Sequence, residues 1–372
     1  MSTPPFATSD AEVAKLFSYN LEGYYDTISD QQLIGRLINR GVLDNRTDLQ
    51  KSSGDTINHY FAQRIQSRGF VDDEAITGSE NIPSMKNASI ALYELNQVTK
   101  VPNNGTISAQ RTGFDMQEIA TKNNRMWLQE RMTVGVLNQL CGNSATSITW
   151  DGITHSTTTR LKEVNAGSTP VAPSSGRISR PNSLSTDQAV NSDTTATLKF
   201  SQILNLERIA QTTRVYVPPL SSNGVKYLFL THPDTFYQLM TDVTDPHQGR
   251  EMILAQMANG GKKDFTIGDT FRYFNTEIMV TDKCPRGVHS GTGAEQTNTR
   301  RSVLLGMNAG SICFGKGYSA GGETVPGFGT WSDDQDVKRW VRLRNGVVWA
   351  AKKTVFDSVD YSTIVLTNYV AQ

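Results

Sequence analysis

Between Thr112 and Gly142 the apolar residues Met116, Ala120, Trp127, Val134, Leu137 and Cys141 recur at steps of three, four and seven, so they share one helical face. Thr112 followed by Asp115 is a weak capping box at the start of this stretch. Gly142 stands where a left-handed closing residue is wanted. A helix of that span is roughly 40 Å long, against a globular mean of about 11–12 residues. The stripe fades over Thr121–Arg125, where the helix is expected to bend or be exposed. It reads as a spine on which the rest is built.

Upstream, Gln31–Val42 places Leu33, Ile34, Leu37 and Ile38 on one stripe and stops at Gly41, a surface helix docked on the body. Thr56–Ile65 and Ala88–Val98 are strand-like and flank a charged, glycine-containing tip. Strands around so long a polar tip predict a hairpin that projects with few core contacts of its own. Downstream, residues 143–196 turn Ser/Thr/Asn-rich and poor in large aliphatics, reading as a surface excursion or a partly disordered one, anchored by Trp150 and Ile153.

Periodic structure resumes with a helix over Leu198–Thr213, begun near Ser201. Val225–Leu230 is a buried-strand run, and His232-Pro233-Asp234 then opens a helix with proline at its first position. A short helix is expected at Arg250–Ala258. Strands are expected within Thr270–Thr281, at Ser302–Leu305 and Ser311–Phe314, and at Tyr361–Val370. Asn345-Gly346, between Arg339–Leu343 and Val347–Phe356, predicts a tight hairpin. The fold class is α+β.

Composition supports a real core in two or three structural regions: 372 residues, 37% hydrophobic, with 30 glycines besides. Lys plus Arg equals Asp plus Glu at 36 each. That balance argues against a protein that wraps nucleic acid through a basic surface, although a neutral shell around nucleic acid stays open. The three cysteines are widely spaced, which favours neither a disulfide framework nor a zinc site. With no signal-peptide pattern and no long apolar run, the chain reads as soluble, in a reducing cytoplasm.

Candidate chemistry is sparse. His59, His155, His232, His247 and His289 are scattered, none at metal-ligand spacing. His232, at a strand end beside Asp234, is the most site-like, and a capping or interior role outweighs a catalytic one. Gly260-Gly261-Lys262-Lys263 lacks the earlier glycine and the following Ser or Thr of a phosphate loop. The glycines at 315, 317, 327 and 329 lack the helix a dinucleotide fingerprint needs. The Asp72-Asp73-Glu74 run lacks the glycine turn of a hard-cation loop and reads as solvated. Lys338, Arg339, Arg342 and Arg344 around Trp340 alternate like the wet face of a strand or an intersubunit contact. No catalytic, cofactor or metal site is assigned.

Five segments in order resemble the major capsid proteins of tailed bacteriophages, most closely those of the large-virion-polymerase podoviruses and relatives. GDTINHYFAQRIQSRGFVDDEAITGSE is similar to that family's extended loop, and QRTGFDMQEIATKNNRMWLQERMTVGVLNQLCG to its spine helix. KYLFLTHPDTFYQLMTD, SVLLGMNAGSICFGKG and KRWVRLRNGVVWAAKKTVFDSVDYSTIVLTNYV resemble its strand–His-Pro–helix, late strand and final strands. The resemblance implies the Hong Kong 97 capsid fold: arm 1–52, extended loop 53–95, peripheral domain 96–213 and 338–372, and axial domain 214–337. It implies self-assembly into hexamers and pentamers of an icosahedral shell around double-stranded DNA, bound without sequence specificity. Partners would be copies of the chain, a scaffold, a portal and decoration proteins, with no membrane and no cofactor. The place would be the virion, assembled in the host bacterial cytoplasm. Arg64, Arg68, Asp72, Asp73 and Glu74 are expected to pair between subunits at the loop. The alternatives are another virion part, such as a tail or decoration protein, or a cytoplasmic α/β enzyme using His232 and Asp234.

Overall fold

The long helix runs from Met116 to Leu140 in a computed structural model that describes residues 33–46, 48, 54–62, 71, 85–111, 115–150, 153–157, 161–212, 216–220, 225–241, 270–316, 318–319, 328–356 and 358–371. It opens later than the sequence predicts. Asp115 is the cap, its carboxylate accepting from the amides of Gln117 and Glu118 at 2.9 and 3.3 Å. A carboxylate there satisfies free amides and meets the positive end of the helix dipole; Thr112 lies outside the described residues. At the other end Gly142 takes φ +59, as its position predicts.

The apolar stripe of this helix is wider than the periodicity shows. Residues 131–140 are buried on every side. One cluster joins Leu128, Met132, Leu137 and Leu140 to Val347 and Trp349 of one sheet and to Leu228, Leu230, Val303 and Val365 of another. The polar stretch is not simply exposed either. Asn124 is buried, donating to the Leu343 carbonyl at 3.2 Å and accepting from the Thr99 hydroxyl at 2.6 Å.

The first sheet has six strands and centres on Trp340–Lys353. Tyr93–Pro102 pairs antiparallel along one edge of that strand. Phe328–Gln335 and Gly310–Phe314 pair along the other, since Trp349 lies opposite both Tyr93 and Phe314. Asn345-Gly346 therefore makes no hairpin. Both residues lie inside the continuous strand, opposite Gln97 and Asn96 on one side and Thr330 and Gly329 on the other. Partners along both edges hold the backbone extended and override the local turn preference.

The second sheet orders its strands Ile178–Ser179, Thr363–Tyr369, Thr299–Leu305, Tyr227–Thr231, Thr276–Val280 and Thr270–Tyr273. Residues 338–372, grouped above as one block, thus divide between the sheets. Alternation sorts the second sheet's side chains. Leu228 and Leu230 enter the spine-helix core, while Tyr227 and Phe229 pack with Ile203 and Leu206 of the helix Phe200–Thr212. The helix Pro233–Thr241 follows Thr231 directly, as His232-Pro233 predicts. The segment expected to be helical at 250–258 lies outside the described residues.

The Ser/Thr/Asn-rich region is largely structured. Val164, Asn165, Ala166, Arg177, Asp187, Val190 and Ala196 are buried. Asn138 donates to the Val164 carbonyl at 3.0 Å, and Gln139 to the carbonyls of Asn165 and Ser168 at 2.7 and 2.6 Å. Amide pairing lets polar residues do here what aliphatics do elsewhere. Ile153 is exposed and anchors nothing; Ile148, at 4% exposure, does.

At the front, residues 33–39 form the expected docked helix, with Leu33 and Leu37 buried, closed by Gly41 at φ +73. Leu43–Arg46 then adds a parallel strand beside Gly310–Cys313.

Candidate functional site

Thr56–Ala62 and Met85–Ala91 pair antiparallel as a separate two-stranded ribbon. Its root is fixed where Ile57 and Ile90 enter the main core and the Lys352 ammonium donates to the Ser89 carbonyl at 2.9 Å. Tyr60, farther out, is 63% exposed. Isolated two-stranded ribbons are marginal in water, so this one draws its stability from whatever else it touches. Arg64, Arg68, Asp72, Asp73 and Glu74, the residues singled out for intersubunit pairing, lie outside the described residues.

The first sheet has one face on the spine helix and one away from it. Val341, Leu343 and Val347 point inward with Val101 and Leu95. Trp340, Arg342 and Arg344 alternate to the other face. Lys100 lies over the Trp340 ring at 4.9 Å, Arg342 pairs with Asp333 at 3.0 Å, and Arg344 pairs with Glu94 and donates to Asn96. Arg342 and Arg344 thus meet neighbours of their own sheet. That matches the wet-face reading and leaves little for phosphate.

Where the spine helix ends, buried charges gather. Arg301 donates to Asp187 at 2.7 and 3.1 Å and to the Gly142 carbonyl at 2.8 Å. Asp187 also accepts from Arg180 at 2.7 Å and from the Val288 amide at 3.0 Å. Burial by itself raises the Asp187 carboxyl, but Arg301 and Arg180 outweigh it and hold the group below the usual range. A second pair, Lys353 with Asp360 at 2.7 Å, is 1% and 0% exposed. Lys353 donates to the Val171 carbonyl, and Asp360 accepts from the Ser174 amide. Burial lowers the Lys353 ammonium, Asp360 offsetting part of the effect. These contacts join the spine helix, both sheets and the 171–187 segment. The sequence reading missed all four residues. The available signal was Arg300-Arg301 opening the otherwise apolar strand Ser302–Leu305.

His232 offers little to an enzyme. Its Nδ1 accepts from the Asp234 amide at 3.2 Å, a local cap. Burial, then Arg300, push it down to about 4, so it is neutral at pH 7. Cys141 and Cys313 are pushed up to about 12 by burial, and Cys284 well above its usual value, so none presents a thiolate. A cavity of about 30 Å³ among Asn138, Cys284, Arg286, Glu295 and Arg300 has room for water and no substrate. Gly315 packs against Val348 and its amide donates to the Val348 carbonyl at 2.9 Å, extending the sheet's pairing and opening no dinucleotide turn; Gly260-Gly261-Lys262-Lys263 lies outside the described residues. Among the described residues no three His, Cys, Asp or Glu are grouped to hold a metal. No described helix is long and apolar enough to cross a membrane.

The geometry is that of a scaffold with a projecting ribbon, and the comparisons agree. The chain is similar to the capsid of Ralstonia phage GP4, with a TM-score of 0.71 at 16% identity, covering 100% of this chain and 99% of that one. It is similar to the capsid asymmetric unit of cyanophage Pam1, with a TM-score of 0.65 at 14% identity over 100% and 98% of the two chains. The SrpI encapsulin complex of Synechococcus elongatus shares the fold at a TM-score of 0.52 and 11% identity, over 99% and 98%. No curated protein matches the sequence. The profile of the family described as phage capsid protein matches residues 39–372. The α+β fold is that of phage capsids, the protein is a structural component of the virion, and the chain belongs to the phage capsid protein family.

Proposed function

We propose that the chain is the major capsid subunit of a tailed bacteriophage, of the Hong Kong 97 type and nearest the large-virion-polymerase podoviruses. Copies assemble into hexamers and pentamers of an icosahedral shell that holds packaged double-stranded DNA without reading its sequence. Residues 1–52 serve as the arm, whose strand Leu43–Arg46 joins the first sheet, and 53–95 as the extended loop. The spine helix with the first sheet forms the peripheral domain. Most of 214–337, joined by the strand Thr363–Tyr369, forms the axial domain. Assembly takes place in the host bacterial cytoplasm, with a scaffold, a portal and decoration proteins as further partners.

The observation that carries this reading is the end-to-end likeness to a phage capsid at a TM-score of 0.71, together with a ribbon that leaves the body at Thr56–Ala62. A ribbon with little core of its own is stabilised when laid across a neighbour, and each such contact is multiplied around a closed lattice. The test is expression of the full chain alone, read by negative-stain microscopy and light scattering. Shells, tubes or capsomer-sized rings are expected. A discrete small oligomer that persists when the neighbouring assembly genes are co-expressed would end the proposal.

A further inference from the structure

Residues 282–286 are strapped to the start of the strand Thr299–Leu305. The Arg301 amide donates to the Pro285 carbonyl at 2.8 Å, and the Arg300 guanidinium to the Cys284 carbonyl at 3.4 Å. The strap brings Arg286 and Arg300, with Glu295, to the wall of the cavity of about 30 Å³ that abuts Val134 and Asn138 of the spine helix. A water-sized body needs about 10–15 Å³ of such space, so one or two fit.

Two atoms of these wall residues are unsatisfied. Arg286 Nε and Glu295 Oε1 are out of water and find no hydrogen-bond partner among the described residues. The other Glu295 oxygen accepts from the Thr149 amide at 2.9 Å. A charged donor left unbonded away from water is costly, so whatever bonds it is held firmly. The charges do not balance either. Lys283 is taken up by Glu130 at 3.2 Å and by Asp282 at 3.1 Å. Two guanidiniums then share the cavity with one carboxylate, Glu295. Burial, and next the Arg286 charge, lower the Arg300 guanidinium, the mark of like charges held close together.

We propose that this cavity binds a small inorganic anion of halide size, chloride in ordinary solution, held by the Arg286 Nε–H and the Arg300 guanidinium. A monatomic ion suits the volume better than phosphate or an organic acid does. The site lies within one chain and does not depend on how copies assemble. Glu295 couples the ion to a proton. Burial raises its carboxyl, against the Thr149 amide, Arg286, Arg300 and Asn143. An anion beside it favours the neutral acid further, so ion and proton enter together and the ion binds more tightly as pH falls. Of the other charges nearby, Asp282 and Lys283 pair with each other, and Asp234 faces Arg300. His232 faces both guanidiniums and gains its proton only near pH 4.

The test is broadening of the chloride NMR line by the full chain in sodium chloride, with sodium gluconate holding the ionic strength constant, for wild type, R286M and E295Q. R286M removes a buried donor that has no partner at Nε, so it should melt no lower than wild type in gluconate alone. It should also abolish the specific part of the broadening. That part, wild type minus R286M, should be at least about five-fold larger at pH 5.5 than at pH 7.5. E295Q, whose amide stands in for the protonated acid, should broaden the line at pH 7.5 as strongly as wild type does at pH 5.5. Equal broadening by wild type and R286M at both pH values overturns the inference. Should R286M fail to fold, E295Q decides: broadening no greater than that of wild type at pH 7.5 overturns it as well.

Discussion

Arg301 bonds Asp187 at 2.7 Å while the same guanidinium reaches the Gly142 carbonyl at 2.8 Å, so one side chain ties a helix end to a buried acid. The carbonyls at a helix C-terminus carry partial negative charge and lack intrahelical partners. Replacing Arg301 by methionine leaves those carbonyls unbonded and Asp187 with Arg180 as its remaining ion partner. The expected loss is about 3 kcal/mol, read by urea unfolding of the purified chain. A loss below about 1 kcal/mol would show that the junction does not need the clip.

Lys353 and Asp360 offer a sharper version of the same experiment. K353M alone strands a fully buried carboxylate and should cost about 3–5 kcal/mol. K353M with D360L removes both charges and should recover most of that loss. If the double variant is no more stable than the single one, the contacts to Val171 and Ser174 matter more than the pair.

Stability should also depend on acid through His232. Its folded value of about 4 lies below the ordinary 6.5, so in the range between them the unfolded chain takes up a proton that the folded chain refuses. The contribution is therefore intact above pH 6.5 and lost as pH falls towards 4, by at most ~3 kcal/mol. Arg300 and Arg286 oppose its protonation, while Asp234 and Asp282 favour it. His232→Gln should flatten the stability profile between pH 6.5 and 5, above most carboxylate titrations. An unchanged slope there would assign the acid sensitivity elsewhere.

Gly142→Ala tests the close approach of two segments. A Cβ at Gly142 would stand 2.5 Å from the Val171 carbonyl oxygen, on a backbone at φ +59. A loss of about 2 kcal/mol or more is expected in thermal or urea unfolding. A neutral result would mean that the 171–173 segment yields easily.

For the extended loop, reversing Asp72 and Asp73 to lysine should impair shell formation and leave the melting temperature of the chain unchanged. Normal shells from that variant would remove the proposed intersubunit pairing of these acids with Arg64 and Arg68.

Much of the architecture is legible in the sequence because it rests on strong local signals. The helical stripe from Met116, the glycine stop at Gly142 and the His232-Pro233 strand-to-helix step all have a local cause, and each forms. Asn345-Gly346 misleads because a turn dipeptide states only what the backbone prefers alone. Strands along both edges of Trp340–Lys353 decide otherwise. The polar stretch after Gly142 misleads for another reason: Asn138, Gln139 and Asn165 satisfy one another in the interior, and composition cannot tell a paired amide from a hydrated one. The Arg301–Asp187 pair spans 114 positions, so no window of sequence contains it.

Because Arg301, Asp187, Lys353 and Asp360 meet out of water, dissolved ions have little access to them. At 1 M salt the screening length is about 3 Å, enough to weaken contacts between exposed charges such as Arg342 and Asp333. Concentrated salt should therefore weaken pairs on the outside of the chain well before it reaches the ones that lock its interior.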